Sequence, residues 1–531
     1  MLTTVMNLGD LLTQASRRLP DEPGFITPAR THTWAEINRR VDAVCAALRE
    51  QGIGKGDKIL VHSRNNLPLF ESAWIAFKLG AVWVPTNYRV APPEAAYLAK
   101  SSGARVMIYD RGFEHYVDAV REASDALECV IALHAPRTGE LDYEALASLS
   151  TDAFASVDVD RDDPLWFFYT SGTTGYPKAG TLTHGQMAFV VANHLADLMP
   201  GITYRSRSLV VAPLSHGAGI HAIVNTARGA AHVLPASDKM DPEEAWALVQ
   251  QHRVDNMFTV PTIMKMLTEH ESVDRYDHSS LKFVIYAGAP MYRADQKQAL
   301  KKLGRVLVQY YGLGEVTGNI TVLPPFLHEE DDDAPNCRVG TCGYARTGID
   351  IAIFDDDGKR LQPFETGEIC VRGPAVMIGY DNNPEANTKA FKHGWFHTGD
   401  LGHLDREGFL FITGRSSDMY ISGGSNVYPR EVEEALLTHP AVHEAAVLGM
   451  PDPKWGELGV AVVVCKPGQS ASAEELLAQL DGKLARYKWP RHFVYWDALP
   501  KSAYGKITKK DVRAQLAKDW ETYCASQAAA A

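Results

Sequence analysis

The sequence predicts an α/β protein. A large N-terminal domain holds two doubly wound α/β units and a small β-barrel, and a smaller α+β domain follows at the C-terminus. Three observations carry this expectation. At 531 residues the chain is too long for one hydrophobic core. Short apolar runs alternate with helical stretches through its first three hundred or so positions, the rhythm of parallel sheets covered by helices. From about Gly340 that rhythm gives way to residue-by-residue alternation with hairpin turns, and after Arg415 to a mixed pattern.

The first unit opens with a helix from Thr33 to about Gln51, where Ile37, Val41, Val44, Cys45 and Leu48 recur at helical spacing. A Gly54-Lys55-Gly56-Asp57 turn leads to a strand at 58–62, a helix at 67–79 and a strand at 81–85. The second unit takes strands at 208–212, 231–234, 256–260, 283–287 and 306–309, with a helix at 242–252 among them. The acidic run 329–333 reads as a solvated loop. Alternation at 349–353 and 367–372, with turns at Asp356-Asp357-Gly358 and 405–408, predicts antiparallel strands. The last region takes a helix at 430–438, strands at 445–448 and 460–465, and a helix at 473–485. The predicted domains are 1–415 and 419–531, joined by a hinge at 416–418.

Composition narrows the function classes. Hydrophobic residues make up 45% and charged residues 22%, an ordinary soluble balance. A net charge of −12 argues against a nucleic-acid protein, whose footprint is a basic face. Seven dispersed cysteines fit reduced thiols and a cytoplasmic location. No run of about eighteen apolar residues predicts a membrane span, and the N-terminus has no signal-type apolar segment.

The most informative segment is Tyr169 to Gly180, YTSGTTGYPKAG. It follows the apolar run Leu165-Trp166-Phe167-Phe168-Tyr169, which reads as a buried strand. Thr170, Ser171, Gly172, Thr173, Thr174, Gly175 and Lys178 offer backbone N–H groups, short hydroxyls and one cation at a strand end, which suits a polyphosphate. The Gly-Lys-Ser/Thr of a Walker A loop is absent. Gly312, Gly314 and Gly318 approach a dinucleotide fingerprint. The third glycine is one residue late, however, and no long helix follows. That leaves a nucleotide-dependent dehydrogenase or binding protein as the weaker alternative.

The segment resembles the phosphate loop of the adenylate-forming enzymes, which include AMP-forming acyl-CoA synthetases, luciferases and peptide-synthetase adenylation domains. Further blocks follow in that family's order. In Pro213-Leu214-Ser215-His216-Gly217-Ala218-Gly219 the resemblance places His216 near the reacting carboxylate. Gly288, Ala289 and Pro290 resemble the turn beside adenine. In Tyr310-Tyr311-Gly312-Leu313-Gly314-Glu315 it implies that Tyr311 stacks on adenine with Gly312 beside it, and that Glu315 holds Mg²⁺. Gly394 to Asp400 resembles the block whose aspartate, here Asp400, accepts from the ribose hydroxyls. Ile412 would border adenine, and Arg415 would reach ribose and phosphate. Gly423 and Gly424 would line the pantetheine tunnel, with Asn426 facing the nucleotide. Pro500 to Lys506 resembles the block of the catalytic lysine, here Lys506, on a mobile C-terminal domain. Three positions depart from the family pattern: Ala179 for glycine, Gly314 for threonine or serine, and Ser417 for the usual hinge aspartate or lysine.

The resemblance implies an ATP-dependent acid–CoA ligase using ATP, Mg²⁺ and coenzyme A, with a small carboxylic acid as partner, no nucleic acid and room for a homodimer. The alternative within the family is a stand-alone enzyme that loads an acyl group on a carrier protein. No aspartate holds an amino group near His216, which disfavours amino-acid substrates. Tyr310 stands where several members have glycine and would floor the acid pocket. Ile220, Ala222, Tyr286, Gly318 and Ile320 are its expected neighbours. With no arginine among them, the expected substrate is an apolar monoacid, aryl or fatty. His393, His397 and His403 read as ordinary loop residues, not a metal site.

Overall fold

A computed structural model describes residues 3–170, 176–422, 425–452, 456–502 and 506–530. The first unit is a seven-stranded sheet. Val82–Pro85, Lys58–His62, Val106–Tyr109 and Cys129–Ala132 run parallel at its centre. These strands are buried along their length or nearly so, as β-branched runs covered on both faces must be. Pro164–Thr170 joins in parallel beside Val82–Pro85 and turns back antiparallel as Lys178–Thr183, which forms the sheet edge. The glycine-rich segment therefore starts at the end of the strand that the sequence predicts, at Thr170, and rejoins the sheet at Lys178.

The second sheet is larger. Ala231–Val233, Arg207–Leu209, Asn256–Thr259, Phe283–Tyr286 and Leu307–Tyr311 form its parallel part, as expected. The strands expected as a small barrel within this domain are hydrogen-bonded onto the edge of this sheet. Thr321–Leu323 folds back on Leu307–Tyr311, and Thr341–Ala345, Phe409–Arg415, Trp395–Leu404, Gly367–Arg372 and Asp350–Phe354 continue the ladder antiparallel. The hairpin after Tyr311 would present a free edge, and pairing it with Thr341–Ala345 satisfies that edge's backbone groups.

The other end of this sheet is formed by Pro23–Ile26 and Thr31–Thr33, near the N-terminus. Helix Trp34–Glu50 then crosses to the first unit. Trp34 Nε1 donates to the carbonyl of Gly229 at 3.1 Å, in the second unit. Arg40, buried, pairs with Glu71 at 2.7 Å on helix Leu67–Lys78 of the first.

The smaller C-terminal domain is a five-stranded sheet, in which Val442–Asp452 and Gly456–Cys465 form a long antiparallel pair. Helices Pro429–Leu437 and Ala473–Leu480 cover one core on this sheet, and Val512 and Leu516 of helix Lys509–Ala530 enter another. The helix expected at 473–485 ends earlier, at Leu480. Phe409–Arg415 belongs to the second sheet and Tyr420–Ser422 to the third, and residues 416–418 form the turn between them.

Candidate active site

Glu315 sits in a short turn after Leu307–Tyr311, where the chain doubles back tightly. A Cβ on Gly312 would fall 2.4 Å from the Gly318 carbonyl carbon, and Gly318 itself has φ +68°. This turn aims the Glu315 carboxylate inward, 6% exposed. Its Oε1 accepts from the Thr170 hydroxyl at 2.8 Å and from the Tyr380 hydroxyl at 2.9 Å. Lys178 holds its ammonium 5.4 Å above the Tyr380 ring. Both ends of the glycine-rich segment are thus fixed to the Glu315–Tyr380 pair, through Thr170 on one side and Lys178 on the other. Tyr176 stacks on Tyr97 at 4.8 Å. Ser171, Gly172, Thr173, Thr174 and Gly175 lie outside the described residues.

Among the described residues, Oε2 of Glu315 takes no hydrogen bond. A carboxylate steadied by two hydroxyls through one oxygen, with the other left over, fits a hard cation such as Mg²⁺. The three departures from the family pattern have local accounts. The Ala179 methyl is buried in the core of the first sheet. A Cβ on Gly314 would lie 2.4 Å from Cδ1 of Phe168, so the aromatic ring fills the space that threonine would need. Ser417 lies exposed in the 416–418 turn, and the neighbouring Ser416 N–H donates to the carbonyl of Gly399 at 3.0 Å.

A second cluster centres on Asp400, buried in strand Trp395–Leu404. Its Oδ2 accepts from the Tyr311 hydroxyl at 2.7 Å, and Arg415 Nε lies 3.2 Å from Oδ1. Burial pushes the Asp400 carboxyl upward against the pull of Arg415, and pushes the Tyr311 hydroxyl well up. The backbone before Asp400 is also held, since Gly399 N–H donates to Glu368 Oε1 at 3.0 Å. The other oxygen of Glu368 is 2.7 Å from Nδ1 of His397. His397 and His403 are therefore strand residues and not the loop residues expected. Ile412 is half-buried in the facing strand, and its carbonyl accepts from Arg430 at 3.2 Å.

Lys506 joins the two clusters. Its Nζ would lie 3.6 Å from a Cβ placed on Gly288, whose φ of +83° turns the chain sharply after strand Phe283–Tyr286. Ala289 and Pro290 continue that turn. The Lys506 ammonium is pushed down to about 8, first by burial and then by Arg415, while Asp400 and Glu315 oppose the shift. His216 caps helix Gly217–Arg228 and tilts its ring against Phe168 at 4.5 Å. Burial, with Lys506 adding to it, pushes its imidazole down to about 3, so it is neutral at physiological pH. The structure thus brings Thr170, Lys178, Glu315, Tyr311, Asp400, Arg415, His216, Gly288 and Lys506 into one cleft. It leaves Asn426 exposed on strand Ser425–Val427, while Gly423 and Gly424 lie outside the described residues.

Aromatic side chains line the chain beyond His216, and a Cβ on the next residue, Gly217, would lie 2.8 Å from the Phe258 ring. Phe258 stacks on Tyr310 at 6.0 Å, and the Gly318 backbone packs against the Tyr310 ring. Sequence reasoning passed over four residues here. Tyr380 lies in an unremarkable Gly-Tyr-Asp-Asn stretch, and Phe168 reads simply as strand. Glu368 looks like an exposed strand residue. Arg346 looks like a turn arginine but is buried, electrostatically coupled to Tyr310.

The cleft lies between segments that match known families. Residues 12–381 match the model described as AMP-binding enzyme, and residues 431–506 match the AMP-binding enzyme C-terminal domain. The chain belongs to the AMP-binding enzyme family. This AMP-binding enzyme is 36% identical over 483 residues to a feruloyl-CoA synthase from an Amycolatopsis species, covering 91% of this chain and 93% of that one. It is 33% identical over 514 residues to an indoleacetate–CoA ligase from Aromatoleum aromaticum, covering 97% and 99%. Among solved structures it resembles the o-succinylbenzoate CoA synthetase MenE from Bacillus subtilis bound to an acyl-adenylate. The TM-score is 0.84 at 29% identity, over 96% of this chain and 99% of that one. The AMP-binding enzyme is an AMP-forming acid–thiol ligase, and ATP and CoA are substrates of these ligases. Among the described residues no helix is long and apolar enough to cross a membrane.

Proposed function

We propose that this enzyme joins an acid with an apolar, preferably aromatic, body to CoA in two half-reactions. In the first, a carboxylate oxygen attacks the α-phosphorus of ATP. The bond to the β-phosphate oxygen breaks, and pyrophosphate leaves with that electron pair. In the second, the CoA thiol gives its proton to solvent and its sulfur attacks the acyl carbon, and AMP departs from the acyl-adenylate.

The observation that carries this reading is the placement of Lys506. A lysine of the C-terminal domain reaches the Gly288 turn and lies in the field of Asp400 and Glu315. There its ammonium would stabilise charge developing on the α-phosphate, worth on the order of 3–4 kcal/mol for one preorganised donor. Thr170 and Lys178, with Ser171, Gly172, Thr173, Thr174 and Gly175 between, would hold the β- and γ-phosphates. Asp400 and Arg415 would hold ribose, with Tyr311, Gly312, Ala289, Pro290 and Ile412 around adenine. Neutral His216 would orient the carboxylate. Glu315 would hold Mg²⁺, which when bound supplies charge neutralisation at the phosphates. The phenyl ring of Phe168 and the stacked Phe258–Tyr310 pair favour a flat aromatic acid. In the second half-reaction residues 416–418 would act as the hinge between domains 1–415 and 419–531. That motion would withdraw Lys506 and bring Gly423, Gly424 and Asn426 to the thiol channel, in the cytoplasm.

The test assays the halves separately in Lys506→Ala. Acid-dependent ATP–pyrophosphate exchange should collapse while thioester formation from supplied acyl-adenylate survives. Retention of exchange would sink the role of Lys506. Offering a carrier-protein thiol in place of free CoA in the same product assay separates CoA ligation from carrier loading.

A further inference from the structure

Beyond the Phe258–Tyr310 pair lies a polar cluster that is buried. Arg346 is 2% exposed, and its Nε and Nη2 have no hydrogen-bond partner among the described residues. The carboxylate beside it, Asp197, stands 4.0 Å from Nε. That carboxylate is engaged elsewhere, by the Thr347 N–H at 2.8 Å, the Thr347 hydroxyl at 2.9 Å and the Asn193 amide at 3.2 Å. His194, 3% exposed, lies in the field of Arg346 and has an unpartnered Nε2. Its ring is 5.7 Å from that of His221, whose Nδ1 is also unpartnered. Asn319, with neither side-chain amide atom partnered among the described residues, precedes Ile320, whose carbonyl accepts from the backbone N–H of Arg346 at 2.9 Å. Each unmade buried hydrogen bond costs about 1–3 kcal/mol, and native proteins carry only a few. Four such residues gathered in one region point to a ligand that completes them.

The cluster is aligned with the chemistry. Gly217, next to His216, meets the same ring that His221 approaches further along the helix, since a Cβ on Gly217 would lie 2.8 Å from Phe258 Cζ. Between the two ends the wall is apolar and aromatic. His221 approaches Phe258 at 6.3 Å, Phe258 stacks on Tyr310, and Tyr310 lies in the field of Arg346. An acid with its carboxylate at His216 and Lys506 would lay its body along this wall and turn its opposite end toward this cluster.

We infer that the acid carries an oxygen acceptor at the end remote from its reacting carboxylate, and that Arg346 donates to that oxygen. The inference rests on the acid–CoA ligase reading above and replaces the wholly apolar substrate with one apolar only along its body. Asp197 already balances the guanidinium, so an uncharged ring hydroxyl, ether or carbonyl oxygen fits. A second carboxylate would leave one buried negative charge uncompensated.

The test is acid-dependent ATP–pyrophosphate exchange with the full-length enzyme on matched acids. Cinnamate, phenylacetate and benzoate would each be supplied with a 4-hydroxy, 4-methoxy, 4-ethyl or 4-carboxy group, alongside octanoate. The 4-hydroxy or 4-methoxy member of one series should exceed its 4-ethyl counterpart at least about tenfold in kcat/KM. In Arg346→Met that ratio should fall to about one. If Arg346→Met does not fold, as judged by thermal unfolding, Arg346→Lys should lower the ratio only in part. Exchange on octanoate or the 4-ethyl acids with no oxygen preference overturns the inference and leaves the ligase reading standing. A preference for the 4-carboxy acids overturns the uncharged acceptor. No exchange with any acid overturns the ligase reading and the inference together.

Discussion

Phe168 and Gly314 are a matched pair: the ring of one fills the space that any side chain on the other would need, with 2.4 Å between Cδ1 and the site of a Cβ. Restoring threonine at 314 alone should overpack the turn that carries Glu315. We expect Gly314→Thr to cost about 1–3 kcal/mol and to lower ATP–pyrophosphate exchange. Phe168→Leu combined with Gly314→Thr should recover much of both. Thermal unfolding and exchange rates on the two single variants and the double variant decide the matter. A double variant no better than the worse single one would refute the pairing.

The rate of adenylation should depend on pH through Lys506. Its ammonium is pushed down to about 8, so the charged form dominates below that pH and is lost as pH rises through it. Exchange should therefore fall on the alkaline side, by about tenfold per pH unit well above 8. Lys506→Arg stays charged across that range. Its rate should be lower at the optimum but flat through the alkaline limb. His216, neutral well below this range, should add no acid limb above about pH 5.

Asp400→Asn should act at two places. It removes the partner of Arg415 and of the Tyr311 hydroxyl, which should raise the KM for ATP. It also removes a carboxylate that holds the Lys506 ammonium up. The alkaline limb should then move to lower pH. A change in KM with no shift in the pH profile would separate Asp400 from Lys506.

Tyr380→Phe should loosen Glu315. One hydrogen bond to a buried charged group is worth about 1.5–3 kcal/mol, so kcat/KM for ATP should fall roughly tenfold or more. Because Thr170 donates to the same oxygen, Thr170→Val and Tyr380→Phe should not be additive. Additive losses would mean that the two hydroxyls support Glu315 independently.

Elements written by local pattern were legible in the sequence. Helix Pro242–His252 was found to the residue, because Asp241 and Pro242 mark its start as its own side chains cap it. Lys58–His62 was found because a buried parallel strand must be a short apolar run. The blocks around Glu315, Asp400 and Lys506 stood out through their resemblance to the adenylate-forming family, each with one charged residue next to a glycine. What depends on distant partners was not. Arg346 reads as a surface arginine until helix His184–Asp197 brings Asp197 alongside. Phe168 reads as one more strand aromatic until Gly314 arrives from another sheet. Pro23–Ile26 precedes the first unit in sequence yet pairs with the second, because its partner Ala231–Val233 lies some two hundred residues on.

That crossing has a mechanical consequence. The short hairpin ends one sheet, and the helix after it, through Trp34 and Arg40, fastens that sheet to its neighbour, so the segment works as a strap across the seam. Force applied to one half is passed to the other before it can widen the cleft between them. The N-terminal domain is therefore braced as a single anvil, and in the proposed second half-reaction large displacement would be left to the smaller body that carries Lys506. Cutting the strap, by exchanging the Arg40–Glu71 pair for two alanines, should let the anvil itself give.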